Sequence, residues 1–176
     1  MDWYKTVFEL IDLRSFSNLW YWIALAVLWS SASHWVMGVP FDMISRARRN
    51  GGQTAADVET LVRINVDRLL YISRTSGLWV IGLTCFLLAG LATLGFGYGI
   101  EFARAVLFLL APMSLVAILT LRVAARIEAD LEAEQAFDLY RRLSRHRITV
   151  QVIGMVSIFV TAMYGMYQNM QINQAF

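Results

Sequence analysis

The chain has 176 residues, of which 58% are hydrophobic, a mean hydropathy of +0.54 and a formal net charge of +2. A soluble domain is usually about 45–50% apolar, so this excess predicts a protein whose main solvent is lipid. The small net charge argues against a nucleic-acid partner. With Cys85 as its one cysteine, the chain cannot form an intrachain disulfide.

The first residues, Asp2 to Asp12, have the periodicity of an amphipathic helix, with Trp3, Tyr4 and Val7 on the apolar face. Two arrangements fit this pattern equally well. The helix either lies in the lipid headgroup region or packs on the rest of the protein.

Four stretches are apolar over the length that crosses a bilayer, which takes about 20 helical residues. They are residues 18–37, 77–96, 103–121 and 148–167. Trp20 and Trp35 flank the first stretch, as expected of aromatic residues at membrane interfaces. We therefore predict an all-α polytopic membrane protein with a single domain, 1–176, of four transmembrane helices plus amphipathic cytoplasmic helices.

Two charged connections, 42–74 and 122–147, separate these stretches. In the first, Arg46 to Gly52 predict a basic turn, and Thr54 predicts a capping box that opens an amphipathic helix. The apolar stripe of this helix is Val58, Leu61, Val62, Val66, Leu69 and Ile72. The second connection either lies along the membrane surface or folds back on itself near Glu132 to Gln135, and we favour a surface or helix-packed arrangement.

Each connection holds six of the fifteen lysines and arginines. Positively charged loops stay in the cytoplasm, so both connections are predicted to be cytoplasmic and both termini periplasmic.

Small residues recur every four positions on three of the predicted spans, and in lipid such stripes favour close helix contact. They are Ala26, Ser30, His34 and Gly38; Cys85, Ala89, Thr93 and Gly97; and Ser157, Thr161 and Gly165. We expect leucine at Gly165 or Ala89 to loosen the bundle.

His34 is a candidate functional residue because a polar side chain within a span is often functional. The alternative is a neutral histidine that bonds a neighbouring helix or water. His146 lies in a solvated stretch before the last span, and two histidines on separate helices are able to ligate a b-type haem. Nothing else in the sequence supports haem. We expect no catalytic, cofactor or metal site, and no span holds the carboxylate that a cation-coupled transporter needs.

The opening DWYKTVFELIDLRSFSNLWYWIALAVLWSSASHW, continued by VMGVPFDMISRARR, resembles short alphaproteobacterial membrane proteins labelled "component of SufBCD complex". This resemblance implies a bacterial inner-membrane protein associated with iron–sulfur assembly. Because a cluster usually needs several cysteine ligands, the implied role is that of a membrane partner acting through the cytoplasmic helices.

The leading hypothesis is a non-enzymatic membrane protein that binds a cytoplasmic protein partner through these helices. Phe137, Tyr140, Arg141 and Arg142 form the candidate interaction surface. The alternative is a small channel or transporter that works as a homo-oligomer, since four apolar spans leave little room for a pore in one chain.

Overall fold

The computed structural model describes residues 16, 19–133 and 138–174 of the chain. Nearly all of this part is helical, and it also contains one β-hairpin whose two strands have two residues each. The elements in chain order are α1 (Leu19–His34), β1 (Trp35–Val36), β2 (Val39–Pro40), α2 (Phe41–Asn50), α3 (Gly52–Ala92), α4 (Glu101–Glu132) and α5 (Leu139–Gln174). The predicted helix at Asp2 to Asp12 lies outside the described residues.

Three helical segments in the described part are long and apolar enough to cross a membrane: Gly52–Gly97, Glu101–Glu132 and Leu139–Gln168. The first is α3 together with a π-helical turn at Thr93–Gly97. An all-helical chain with membrane-length helices is thereby confirmed. The predicted first span, 18–37, contains α1, a helix of 16 residues and about 24 Å.

A tight hairpin ends α1 three residues before the predicted end of that span. β1 and β2 pair antiparallel, and the residues between them, Met37 and Gly38, both have positive φ, of 52° and 78°. Two-residue hairpin loops favour such backbone angles because their twist matches that of the strands. At Gly38 an added Cβ would also lie 2.9 Å from Asn65 Oδ1, so a side chain at this position would require the Asn65 amide to move.

The amphipathic and apolar parts of α3 form one continuous helix of 41 residues. The basic turn predicted before it is not a turn: its arginines lie on α2, and only Gly51 separates α2 from α3. The expected capping box at Thr54 is wrong, because the helix begins at Gly52 with no side-chain cap. At about 1.5 Å per residue α3 is about 60 Å long, twice the thickness of the hydrocarbon core.

The second charged connection folds back on itself instead of running along a surface. α4 continues to Glu132, α5 begins at Leu139, and the two helices pack against each other. Each helix therefore carries its membrane-length segment into the charged region without a break. We call this region, residues 41–74, 122–132 and 139–147, the polar bundle.

The polar bundle has its own apolar core, to which four helices and the hairpin contribute. Its most buried members are Val39, Ile44, Ala47, Val58, Val62, Val66, Ala124, Ile127 and Leu143. The predicted stripe of α3 is thus buried at Val58, Val62 and Val66, whereas Leu61 and Ile72 are exposed. A spacing of four residues exceeds the helical repeat of 3.6, so successive members of the stripe rotate gradually around the helix axis. The stripe therefore faces the core over only part of its length.

A second core joins α1, α4 and α5 at the level of the membrane-length segments, through Leu25, Trp29, Val116 and Val150. The small-residue stripe of α5 is buried there, at Ser157, Thr161 and Gly165.

The residues of the other two stripes, Ala26 to Gly38 and Cys85 to Gly97, are exposed, so the expected contacts at Ala89 and Cys85 are not found among the described residues. The apolar half of α3 has α4 as its main neighbour, and its outer face is open. In a bilayer that face meets lipid tails, which place no demand on residue size.

Candidate functional site

His34 lies at the last position of α1 and its side chain is 54% exposed, so it is not held inside the bundle. Its Nε2 is 3.9 Å from Asp42 Oδ1, and its ring contacts the ring of Trp35 edge-on. The hairpin places this histidine at the edge of the polar bundle, where it meets a surface carboxylate.

The predicted interaction surface does not form a single face. Tyr140 packs against the core of the polar bundle, Arg141 is exposed, and the Arg142 guanidinium pairs with the Asp130 carboxylate. Phe137 lies outside the described residues. Helical spacing of 100° per residue places these neighbours on different sides of α5, so Arg141 is the exposed cation of the set.

Two ion pairs join helices of the polar bundle. Arg74 of α3 donates to Glu128 Oε2 of α4 at 2.6 Å, and Arg142 of α5 pairs with Asp130 of α4. Glu128 and Asp130 are 20% and 24% exposed, so these pairs are partly shielded from water and link α3 and α5 to α4.

A groove of about 400 Å³ opens where the polar bundle meets the membrane-length segments. Side chains from α1, the hairpin, α3, α4 and α5 all contribute to it. Its lining residues are Ala32, Trp35, Met37, Gly38, Asn65, Arg68, Leu69, Ile72, Met113, Val116, Thr120, His146 and Val150. Pockets of this size, mostly apolar with a few polar groups, are typical of ligand sites.

His146 lies on the wall of this groove and is only 6% exposed, which overturns the expectation of a solvated histidine. Its Nε2 is 3.2 Å from Thr120 Oγ1, and the Thr120 hydroxyl itself donates to the Val116 carbonyl at 2.8 Å. A hydroxyl has one proton, so Nε2 must carry the hydrogen in the contact with Thr120. In the neutral imidazole, Nδ1 is then the unprotonated nitrogen.

Asn65 and Arg68 of α3 complete the polar lining. The Asn65 amide donates to the Leu61 carbonyl at 3.0 Å. Arg68 is exposed, and no carboxylate of the described residues lies within ion-pair distance of it. In the described part of the chain, the polar lining of the groove therefore carries one positive charge that has no ion-pair partner.

No family model matches the chain, and neither the curated proteins nor the solved structures contain a similar one. Function therefore has to be inferred from the chain's own residues.

The groove has the chemistry of a binding site. His146 cannot act as a base toward Thr120, since the hydroxyl proton points to the Val116 carbonyl. His34 does not line the groove, so the two histidines do not face a shared cavity. The described residues hold no group of three or more metal-ligating side chains.

Sequence reasoning missed Asn65, Arg68 and Thr120, and misplaced His146. No motif marks them, because they lie on three different helices that meet only through tertiary packing. The available signal was weak: His146 precedes Val150 by four residues and so shares the buried face of α5.

Proposed function

We propose that the protein crosses a bacterial inner membrane four times, with α1 as the first crossing, the polar bundle in the cytoplasm and both termini in the periplasm. Contacts between α1 and α5 support counting α1 as a crossing in addition to the three membrane-length helices. Gly154 lies against Trp29, and Gly165 lies against Phe16, which precedes α1. Because α1 follows α5 over this whole length and has no Asp, Glu, Lys or Arg, it belongs in the same lipid layer.

Single cysteines in a Cys85→Ser background test this topology. A membrane-impermeant maleimide added to intact cells should label a cysteine at Tyr98, between α3 and α4, and should not label one at Arg48 or Arg141. All three side chains are exposed, so differences in labelling report the side of the membrane. Labelling of the cysteine at Arg48 from outside would show that the chain has the opposite orientation.

Within this topology, the polar bundle acts as a non-enzymatic platform for a cytoplasmic protein partner. Its fully buried core is the observation that carries this proposal. Ile127, Leu143 and Val58 are each 0% exposed, so the bundle keeps its shape without help from a partner. Its outer faces then remain open for binding.

Arginines are exposed on every helix of the polar bundle, at Arg48, Arg49, Arg63, Arg126, Arg141 and Arg145. Arg141 and Arg145 are four residues apart and share one face of α5. An acidic protein surface is the chemistry that complements this face. The resemblance stated above makes the iron–sulfur assembly machinery the first partner to test.

A photo-crosslinking amino acid placed at Arg141 should capture a defined protein in living cells. The matched controls are Tyr98 on the opposite side of the membrane and Trp79, which is 83% exposed on the lipid-facing side of α3. Capture at Arg141 alone supports a cytoplasmic platform. If Arg141 captures only lipid or a second copy of the chain, the platform proposal fails.

The second candidate, a small oligomeric channel, is favoured by the exposed small residues of α3. Cys85 and Ala89 lie on an open face of the apolar half, whereas the centre of the chain's own bundle is filled by Leu25 and Trp29. A pore would therefore need further copies. Copper-catalysed oxidation in native membranes should join two chains through Cys85 if this face is the seam, with Cys85→Ser as control.

A further inference from the structure

The groove changes from polar to apolar along the direction in which its helices enter the membrane-length segments. On α3 the order is Asn65, Arg68, Leu69, Ile72. On α5, His146 precedes Val150 by one turn in the same direction. α4 runs the opposite way, so Met113 and Val116 come before Thr120. Three independent helices therefore give the groove one polar end and one apolar end.

The polar end faces the polar bundle and has the chemistry to hold an anion. Arg68 supplies a positive charge with no ion-pair partner among the described residues. His146, which lines the same groove and is more than nine-tenths buried, contributes a polar wall in which its Nε2 donates to Thr120 Oγ1. A buried polar wall beside a charge is typical of a specific site rather than of a solvated surface.

The apolar end lies at the level of the membrane core. Met113, Val116 and Val150, which belong to the long apolar runs, line it, and Ile72, which is 45% exposed, lies where the groove borders the polar bundle. An acyl chain reaches this end from the bilayer without crossing water. A free inorganic anion would make no use of it.

We propose that the groove binds an anionic phospholipid from the leaflet next to the polar bundle, with the phosphate at Arg68 and an acyl chain along Ile72, Met113 and Val116. Basic pockets between membrane helices are known to take anionic head groups in this way. The groove volume of about 400 Å³ accommodates part of one lipid, with the rest remaining in the bilayer. The proposal rests on the proposed placement of the membrane-length helices in a bilayer. It requires neither the cytoplasmic protein partner nor a particular orientation of the chain across the membrane.

Thermal unfolding of the full-length protein in detergent tests the proposal. Phosphatidylglycerol and phosphatidylcholine with identical acyl chains are titrated separately, and inorganic phosphate is titrated in a third series. We expect phosphatidylglycerol to stabilise the protein at a lower mole fraction than phosphatidylcholine. Arg68→Gln should raise the half-saturating fraction about fivefold, the effect of about 1 kcal/mol for one arginine near a lipid surface.

Two matched pairs of variants on α3 separate the groove from general effects. Arg63→Gln removes an exposed arginine outside the groove, and Ile64→Trp places a bulky ring on an exposed position outside it. Neither should change the preference for phosphatidylglycerol. Ile72→Trp fills the apolar end and should remove that preference, and its exposed position keeps the substitution out of the buried core.

Equal stabilisation by both lipids, unchanged by Arg68→Gln, would mean that lipid only surrounds the helices and would overturn the proposal. Stabilisation by inorganic phosphate as strong as that by phosphatidylglycerol, with Ile72→Trp without effect, would also overturn it in favour of a simple anion site. The measurement needs no cytoplasmic protein, so its failure is distinct from failure of the platform proposal.

Discussion

Alanine at Gly154 should weaken the packing of α1 on α5. A Cβ there would lie 2.7 Å from Trp29 Cε3 and 3.0 Å from Trp29 Cδ2, which is closer than carbon atoms approach without a shift. Trp29 is only 4% exposed and belongs to the core with Val116 and Val150, so its ring has no free space to enter. The new methyl group must therefore displace α1, α5 or the ring.

The cost follows from two opposing effects. Adding a methyl group to a packed core costs about 1–3 kcal/mol. The higher helix propensity of alanine returns up to about 1 kcal/mol. A net loss of about 1–2 kcal/mol is therefore expected for Gly154→Ala. Gly82→Ala is the matched control, because a Cβ at Gly82 meets nothing within 4 Å and should leave stability equal or slightly higher.

Reversible unfolding in mixed micelles of detergent and dodecyl sulfate, followed by far-ultraviolet circular dichroism, measures both variants. The same pair is then compared in a Trp29→Leu background, where the ring that causes the clash is absent. The loss at Gly154 should shrink there. An equal loss in both backgrounds, or no difference between Gly154→Ala and Gly82→Ala, would refute the packing of α1 described here.

Three further outcomes use the same unfolding assay. Gly165→Leu should destabilise, because a Cβ added there would lie 3.3 Å from Phe16 Cβ, whereas Ala89→Leu should be nearly neutral on its open face; equal effects would contradict the burial of one stripe and the exposure of the other. Ile127→Ala should cost about 2–5 kcal/mol, since this residue is 0% exposed, and a loss below 1 kcal/mol would mean that the polar bundle has no packed core. Asp130→Asn should cost only about 1 kcal/mol because its pair with Arg142 still reaches water, so a loss as large as that of Ile127→Ala would contradict this ranking.

Much of the secondary structure could be predicted because it depends on local, additive properties. The long apolar runs at 77–96, 103–121 and 148–167 all lie within membrane-length helices. Helical spacing alone places Val58, Val62 and Val66 on one face of α3, and that face is buried in the core of the polar bundle. Periodicity did not predict where α1 ends or where α3 begins. Met37 and Gly38, which both have positive φ, form the hairpin that follows α1, and Gly51 and Gly52, which also have positive φ, lie at the start of α3.

The candidate site was much less predictable, because its parts are far apart in the chain. Thr120 and His146 are 26 residues apart, and their contact exists only because α4 and α5 fold back on each other. Whether a histidine on a helix is buried depends on whether a neighbouring helix packs on the face that carries it. The same reasoning explains why His34, predicted within a span, is exposed beside Asp42.

By itself the sequence determined that long runs of the chain are apolar enough to cross a membrane and that its arginines lie mainly in two connections, since transfer free energy adds up residue by residue. Only the tertiary structure decided which stripe of small residues is buried. It also decided that α3 is one continuous helix from the polar bundle into the apolar region, and that polar side chains of three helices line one groove. These features depend on the rotation of each helix about its axis. That rotation is chosen by shape fit between side chains, such as Trp29 against Gly154, that no single segment contains.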